Sequence, residues 1–308
     1  MAQTCRCAPV LFLVFNRPER THQVFQAIRA ARPSQLFVAA DGPRPDRSDD
    51  AERCRQVRAI ASAVDWPCEV QTLFRDHNLG CGRAVSEAIT WFFDQVPEGI
   101  VLEDDCLPDQ SFFGYATTLL ERFRQDSRIG QVCGYNLLPE RSPAESDYFP
   151  SHFGWSWGWA SWRRSWQNFD LAMTSWPTLK ASGQHLQYPF YRERIRVFDQ
   201  THAGEIDTWD YQWHYALSAQ GQWSLIPSRN LIENIGFGSD ATHTNATDSS
   251  RAKPAQSLPA GDRLRHPALL LPNPAYERAL IRAAHPPFWV SLPAKVSSKL
   301  DRLKARLR

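Results

Sequence analysis

The sequence predicts an α/β fold: a mostly parallel central sheet with helices on both faces, joined to a tryptophan-rich second half. Three observations carry this prediction. Over the first 135 residues, apolar runs of strand length alternate with amphipathic stretches of helix length, which calls for crossover connections and parallel pairing. The first run, "PVLFLVF", is continuously apolar, and strands alternating with helices of about 12 residues imply a sheet covered on both faces. Most of the 12 tryptophans crowd between residues 155 and 223, which sets that region apart.

The elements follow in order. "PVLFLVF" (9–15) is a buried strand ended by Asn16-Arg17-Pro18. Pro18 suits a first helical position, and Val24, Phe25, Ile28 and Ala31 continue at helical spacing. "QLFVAA" (35–40) is a second strand, closed by Asp41-Gly42-Pro43, and Asp49 or Asp50 caps the helix that runs through Val57 and Ile60. "EVQTLF" (69–74) is a third strand before the polar loop "RDHNLGCGR"; Val85, Ala88, Ile89 and Phe92 give the next helix its face. "GIVLE" (99–103) is a fourth strand with a turn expected at Leu107-Pro108, then a helix over 111–123 and a fifth strand over 129–136.

Past Pro139 the character changes. "LLPERSPAESDYFP" reads as a loop, and "HFGWSWGWASWRRSWQNF" (152–169) places Trp157, Trp162 and Trp166 on one helix face, with one or two tryptophans near Gly154–Trp159 lining a pocket. Residues 245–287, rich in Pro, Ala, Ser and Arg, read as coil, and 292–308 as a basic amphipathic helix. The organisation is therefore 8–136 and 137–244 as two halves of one domain, then 245–308 as a C-terminal appendage.

Composition limits the function classes. An apolar fraction of 43% and a charged fraction of 22% are those of a globular protein with a core, and a net charge of +2 argues against a nucleic-acid partner. Seven cysteines without paired spacing read as reduced thiols, with Cys5 and Cys7 in an N-terminal tail rather than a metal pair. "APVLFLVF" is too short for a secretory signal, and nothing approaches the roughly 20 apolar residues of a membrane span. The expectation is a cytoplasmic protein. The 292–308 helix adds a peripheral contact with the inner face of a membrane as one reading, a solvated helix being the other.

In a parallel sheet, ligands bind at the carboxyl ends of the strands. Those ends read Asn16-Arg17, Asp41-Gly42, Arg75-Asp76-His77 and Glu103-Asp104-Asp105. Three adjacent carboxylates repel one another, so the triplet is either an acidic turn or an oxygen-rich site for Mg²⁺ or Mn²⁺. The apolar strand before it, and the turn and helix after it, favour the metal. No phosphate-cradling glycine loop follows the first strand, since "FNRPER" matches neither a P-loop nor G-x-G-x-x-G.

Strand–"NRPER", strand–"ADG", a basic loop with H-x-L-G, and strand–"LEDD"–"PDQSFFGYATTLLERF" resemble the GT-A nucleotide-sugar glycosyltransferases. The likeness is greatest to the mannosyl-glycoprotein N-acetylglucosaminyltransferases and their bacterial sugar-transferase relatives. It covers 8–136 well and 150–244 loosely, and 245–308 lies outside it. The resemblance implies a Rossmann-like GT-A sheet with an acceptor-side half, a UDP- or GDP-sugar donor, and Mn²⁺ or Mg²⁺ held by Asp105 on the donor diphosphate. It implies that Glu103 and Asp104 contact the ribose or donor sugar and that Arg17, Asp41 and His77 surround the base and ribose. His243, in the loop "GFGSDATHT", would touch the metal or the diphosphate.

An inverting transfer needs a carboxylate base facing the acceptor hydroxyl. "EIDTWDYQWHY" (205–215) offers Asp210, which resembles the family's Trp-Asp segment, and Asp207 second. The family has adjacent aspartates where this chain has Asp210-Tyr211, so the match is imperfect. The expected activity is sugar transfer to a glycan or lipid-linked acceptor, as in bacterial surface polysaccharide or glycolipid assembly. The competing readings are a sugar-1-phosphate nucleotidyltransferase, disfavoured by the absent glycine loop, and an inactive glycan- or partner-binding module, disfavoured by the intact Glu-Asp-Asp.

Overall fold

The apolar runs of the first half become neighbouring strands of one eight-stranded sheet. A computed structural model describes residues 7–184, 191–237, 251–259 and 261–284. The strands β1 (Val10–Val14), β2 (Gln35–Ala40), β3 (Glu69–Phe74) and β4 (Glu98–Glu103) alternate with helices α1 (Pro18–Ala31), α2 (Asp50–Ala61) and α3 (Cys81–Gln95). β3, β2, β1 and β4 lie side by side in that order, all parallel. Along β1, Val10, Phe12 and Val14 enter one core and Leu11 and Leu13 the other. Both faces of the sheet are therefore covered at β1, β2 and β4, whose runs carry no polar alternation, whereas the edge strand β3 is largely exposed. α1, α2 and α4 (Gln110–Arg122) supply the first core, and α3 supplies the second.

The second half brings antiparallel strands into the sheet expected to be mostly parallel. Beyond β4 the order is β8 (Trp159–Trp162), β6 (Ile129–Cys133), β9 (Trp223–Pro227) and β7 (Tyr148–Ser151). β8 pairs antiparallel with both β4 and β6, and β7 antiparallel with β9, while β6 and β9 are parallel. The sheet is thus mixed. The expected helix face through Trp157, Trp162 and Trp166 is corrected: Trp159–Trp162 is a strand with every residue buried, and helix follows only in the four residues of α5 (Arg163–Trp166). A short run inserted between two strands has its backbone paired on both edges, and that outweighs a helical spacing of three aromatic rings.

The turn after β4 also comes earlier than expected. Asp104 and Asp105 form it, and Cys106–Pro108 is already β5, paired antiparallel with β10 (Ile232–Asn234). The remaining helices are α6 (Trp176–Ser182), α7 (Tyr191–His202), α8 (Asp210–Ala219) and α9 (Pro274–Ala284). The last lies in a stretch read as coil. Its Tyr276 and Leu280 are buried, Tyr276 Oη donates to Asn136 at 2.8 Å, and Glu277 accepts from Ser151 and the His152 backbone.

Trp159, Trp166, Trp209 and Trp213 form one aromatic block under the sheet, with Trp159 and Trp209 stacked at 5.8 Å. Most of the tryptophan excess is therefore core. The six described cysteines are free, and among the described residues no helix is long and apolar enough to cross a membrane.

Candidate functional site

Because β1 to β4 run parallel, their carboxyl ends open on one edge, where they meet the N-termini of α3 and α8 across a cleft of about 420 Å³. Phe15 and Arg17 follow β1, Asp41 and Arg44 follow β2, Arg75 follows β3, and Glu103–Asp105 end β4. Ser156 and Trp157 enter from the connection before β8, and Asp207 to Asp210 form the far wall.

Among the described residues, the Arg17 guanidinium holds the carboxylate turn. Arg17 Nη1 donates to Asp105 Oδ2 at 3.0 Å and lies 3.6 Å from Asp104 Oδ1, and the Phe15 N–H donates to Asp104 Oδ2 at 3.3 Å. Strict strand alternation would set Asp104 apart from Asp105; because the chain turns here, both reach the same cation. Asp104 is 6% exposed, and burial with the Asp105 charge pushes its carboxyl up to about 7, against the pull of Arg17. Glu103 is driven well above the carboxylate range by burial and by the charges of Asp105, Asp104 and Asp210. Among the described residues these acids are met by Arg17 and, at longer range, by Arg20, which leaves the turn with more negative than positive charge. Gly236 closes over it: a Cβ there would press on Asp105 Oδ2 and Asn234 Oδ1.

Asp207 stands differently. Its two carboxylate oxygens accept from the backbone N–H groups of Gly82 (2.9 Å) and Cys81 (3.1 Å), satisfying two orphan donors at the N-terminus of α3. Gly80 makes this approach possible, since its φ of +82° is left-handed and a Cβ would meet Asp207 Oδ2 at 2.8 Å. Asp210 is the first residue of α8; its Oδ1 accepts from the Tyr211 N–H at 2.9 Å and from the Thr208 hydroxyl, and Oδ2 has no hydrogen bond among the described residues.

Asp41 lines the cleft but is tied back. It accepts from Asn78 Nδ2 (2.8 Å), the Leu79 N–H (3.0 Å) and the Gly42 N–H (2.8 Å), although burial still raises its carboxyl. His77 is exposed and does not line the cleft; its neighbour Asn78 does. His243 and the 292–308 helix lie outside the described residues. The Cys81 thiol, though in the wall, is pushed far up by burial and the surrounding carboxylates, so it is no thiolate nucleophile near neutrality.

Arg44 was not singled out by sequence reasoning. It grips the buried Asp50 with Nε at 2.6 Å and Nη2 at 3.0 Å, Asn16 Nδ2 adds 2.7 Å, and its guanidinium lies 5.3 Å from the Phe15 ring centroid. This sets Phe15 as an aromatic wall of the cleft beside the Arg44 guanidinium. The available signal was the pair of helix-cap aspartates after "GPRP", of which Asp50 turns out to be 1% exposed.

Among the described residues, no three His, Cys, Asp or Glu side chains converge closely enough to hold a metal alone. A cation bound here would therefore take one or two oxygens from the turn and the rest from its ligand, as Mg²⁺ does on phosphates.

No family model matches the chain, and no curated protein matches it. Among solved structures the chain is similar to a Bacillus anthracis protein designated a glucose-1-phosphate thymidylyltransferase, in complex with a sucrose. The identity is 9% and the TM-score 0.32, over 52% of this chain and 73% of that one. At that score the likeness decides nothing about activity.

Proposed function

We propose that this protein is a glycosyltransferase of the GT-A type, moving a sugar from a UDP- or GDP-sugar to an acceptor hydroxyl with inversion. One observation carries the reading: an under-neutralised Glu103–Asp104–Asp105 turn faces, across one cleft, a carboxylate with a spare oxygen, Asp210. The parts take separate roles. Phe15, flanked by Arg44, offers a face to a nucleobase. Arg17 supplies a guanidinium to the diphosphate, with Arg75 further along the cleft wall, and Glu103 and Asp104 accept hydrogen bonds from sugar hydroxyls.

Asp105 would hold Mn²⁺ or Mg²⁺. The fit rests on the donor set, hard carboxylate oxygens short of positive charge beside a backbone with no Cβ at Gly236. A divalent cation there supplies charge neutralisation on the departing diphosphate. Asp210 takes the acceptor proton through Oδ2, its other oxygen being held by Tyr211 and Thr208. Asp207, with both oxygens on the α3 backbone, positions the wall rather than the proton.

The test is calorimetry of UDP and GDP with and without Mn²⁺, on the native chain and on Asp105→Asn. Tighter binding with Mn²⁺, lost in the variant, is expected. Equal binding in all arms removes the metal role, and preference for a nucleoside triphosphate with a sugar phosphate moves the assignment to a nucleotidyltransferase.

A further inference from the structure

The central sheet has two edges, and they are built differently. β7 at one end is buried at every residue and carries Pro150. β3 at the other end is exposed along most of its length, Val70 to 37% and Phe74 to 36%. Its register with β2 runs unbroken from Glu69 to Phe74, so no bulge turns it away, and "EVQTLF" holds neither proline nor lysine. Of the features that keep an open edge from pairing, β3 has only the charge of Glu69 at its start. The Glu69 and Arg75 N–H groups donate toward β2, to the Ser34 carbonyl at 2.9 Å and the Ala40 carbonyl at 3.0 Å. Backbone groups alternate in direction along a strand, so Val70, Thr72 and Phe74 point theirs outward. Among the described residues, the N–H and C=O groups of these three have no hydrogen bond.

We propose that this edge is an interface for a second copy of the chain, the two β3 strands pairing antiparallel about a two-fold axis at Thr72. That register engages every outward-facing group. Thr72 lies opposite Thr72 of the second copy, and Val70 opposite its Phe74, all as hydrogen-bonded pairs. The side chains suit the same register. On one face the exposed Val70 meets the exposed Phe74 with the two threonines between, and both are favourable cross-strand pairs. On the other face Glu69 falls opposite Arg75, so the charge that opposes pairing meets its opposite. Within its own chain Glu69 accepts from the Gln35 and Gln71 amides, and Arg75 pairs with Glu87 at 2.6 Å. With the axis at Gln71 or Leu73 instead, Glu69 faces Leu73 or His77 and the contact of Val70 with Phe74 is lost. The two clefts of such a pair open on opposite edges of one continuous sheet. The inference does not depend on the sugar-transfer reading.

The test is sedimentation velocity of the full chain at protein concentrations from about 1 to about 100 μM. A monomer–dimer equilibrium is expected. Thr72→Pro removes an outward N–H from each copy and leaves the β2 ladder intact, so it should weaken the dimer about tenfold or more with little change in melting temperature. Cross-linking reads the register. Hydrogen-bonded partners stand about 5.5 Å apart at Cα, within disulfide reach, whereas the two copies of Val70 are more than about 13 Å apart. Under mild oxidant Thr72→Cys should cross-link into dimers beyond the level of the native cysteines, and Val70→Cys should not. A monomer throughout the concentration range overturns the inference, as does a dimer unaffected by Thr72→Pro or equal cross-linking by the two cysteine variants. If the proline variant fails to fold, the cysteine variants decide: cross-linking at Thr72 alone supports the interface, and cross-linking at neither position overturns it.

Discussion

Asp207 and Asp104 face the same cleft, yet the protein treats them in opposite ways. Asp207 receives two backbone N–H groups at a helix N-terminus, where the dipole favours a negative charge. Asp104 receives one longer N–H bond and a share of one arginine, beside two more carboxylates. The first charge is settled by the fold itself. The second is left in deficit, and such a deficit is what a cationic or hydroxyl-rich ligand can relieve.

Four measurements break or sharpen this contrast. The largest effect belongs to a third, fully settled acid: Asp50→Ala strips Arg44 and Asn16 of their buried partner and should cost about 3 kcal/mol in urea unfolding. A change below about 1 kcal/mol would show that the Arg44 network does not brace the Phe15 wall.

Asp104 comes next, through pH. Its folded carboxyl titrates near 7, above the ordinary carboxylate value. Its contribution to stability is complete below the ordinary pKa and is lost as pH rises through 7. The native chain should therefore lose about 2 kcal/mol relative to Asp104→Asn between pH 5 and 7. Parallel stability curves for the two proteins would contradict the deficit.

Asp207→Ala removes a cap and should destabilise by about 1 to 2 kcal/mol, with Asp207→Asn recovering part of it. An alanine variant as stable as the native chain would refute the capping role. The smallest effect on stability is expected for Gly236→Ala, whose Cβ crowds Asp105. Its unfolding midpoint should shift little while Mn²⁺-dependent nucleotide affinity falls about tenfold, a change of about 1.4 kcal/mol. Unchanged affinity would separate Gly236 from the site.

Part of the site was legible because strand ends announce themselves. Arg17, Asp41, Arg75 and Glu103–Asp105 each follow an apolar run, and parallel pairing brings such ends together whatever the loops do. His77 shows the limit. It sits one residue from Asn78 in the same loop, and only the backbone path puts Asn78 in the wall and His77 outside it. Arg44 was illegible for another reason: an arginine in a Pro-rich loop looks solvated until its partner, Asp50, is found to be buried.

What the sequence by itself determined is the parallel first half, the two covered faces and the polar edge, since each depends on local apolar runs and their order. Only the tertiary structure decided that β8 inserts in reverse between β4 and β6 and that Asp207 reaches the Gly82 backbone 125 residues away. The physical reason is that periodicity records how buried a residue is, whereas the partner that cancels or fails to cancel its charge is chosen by contacts between distant segments.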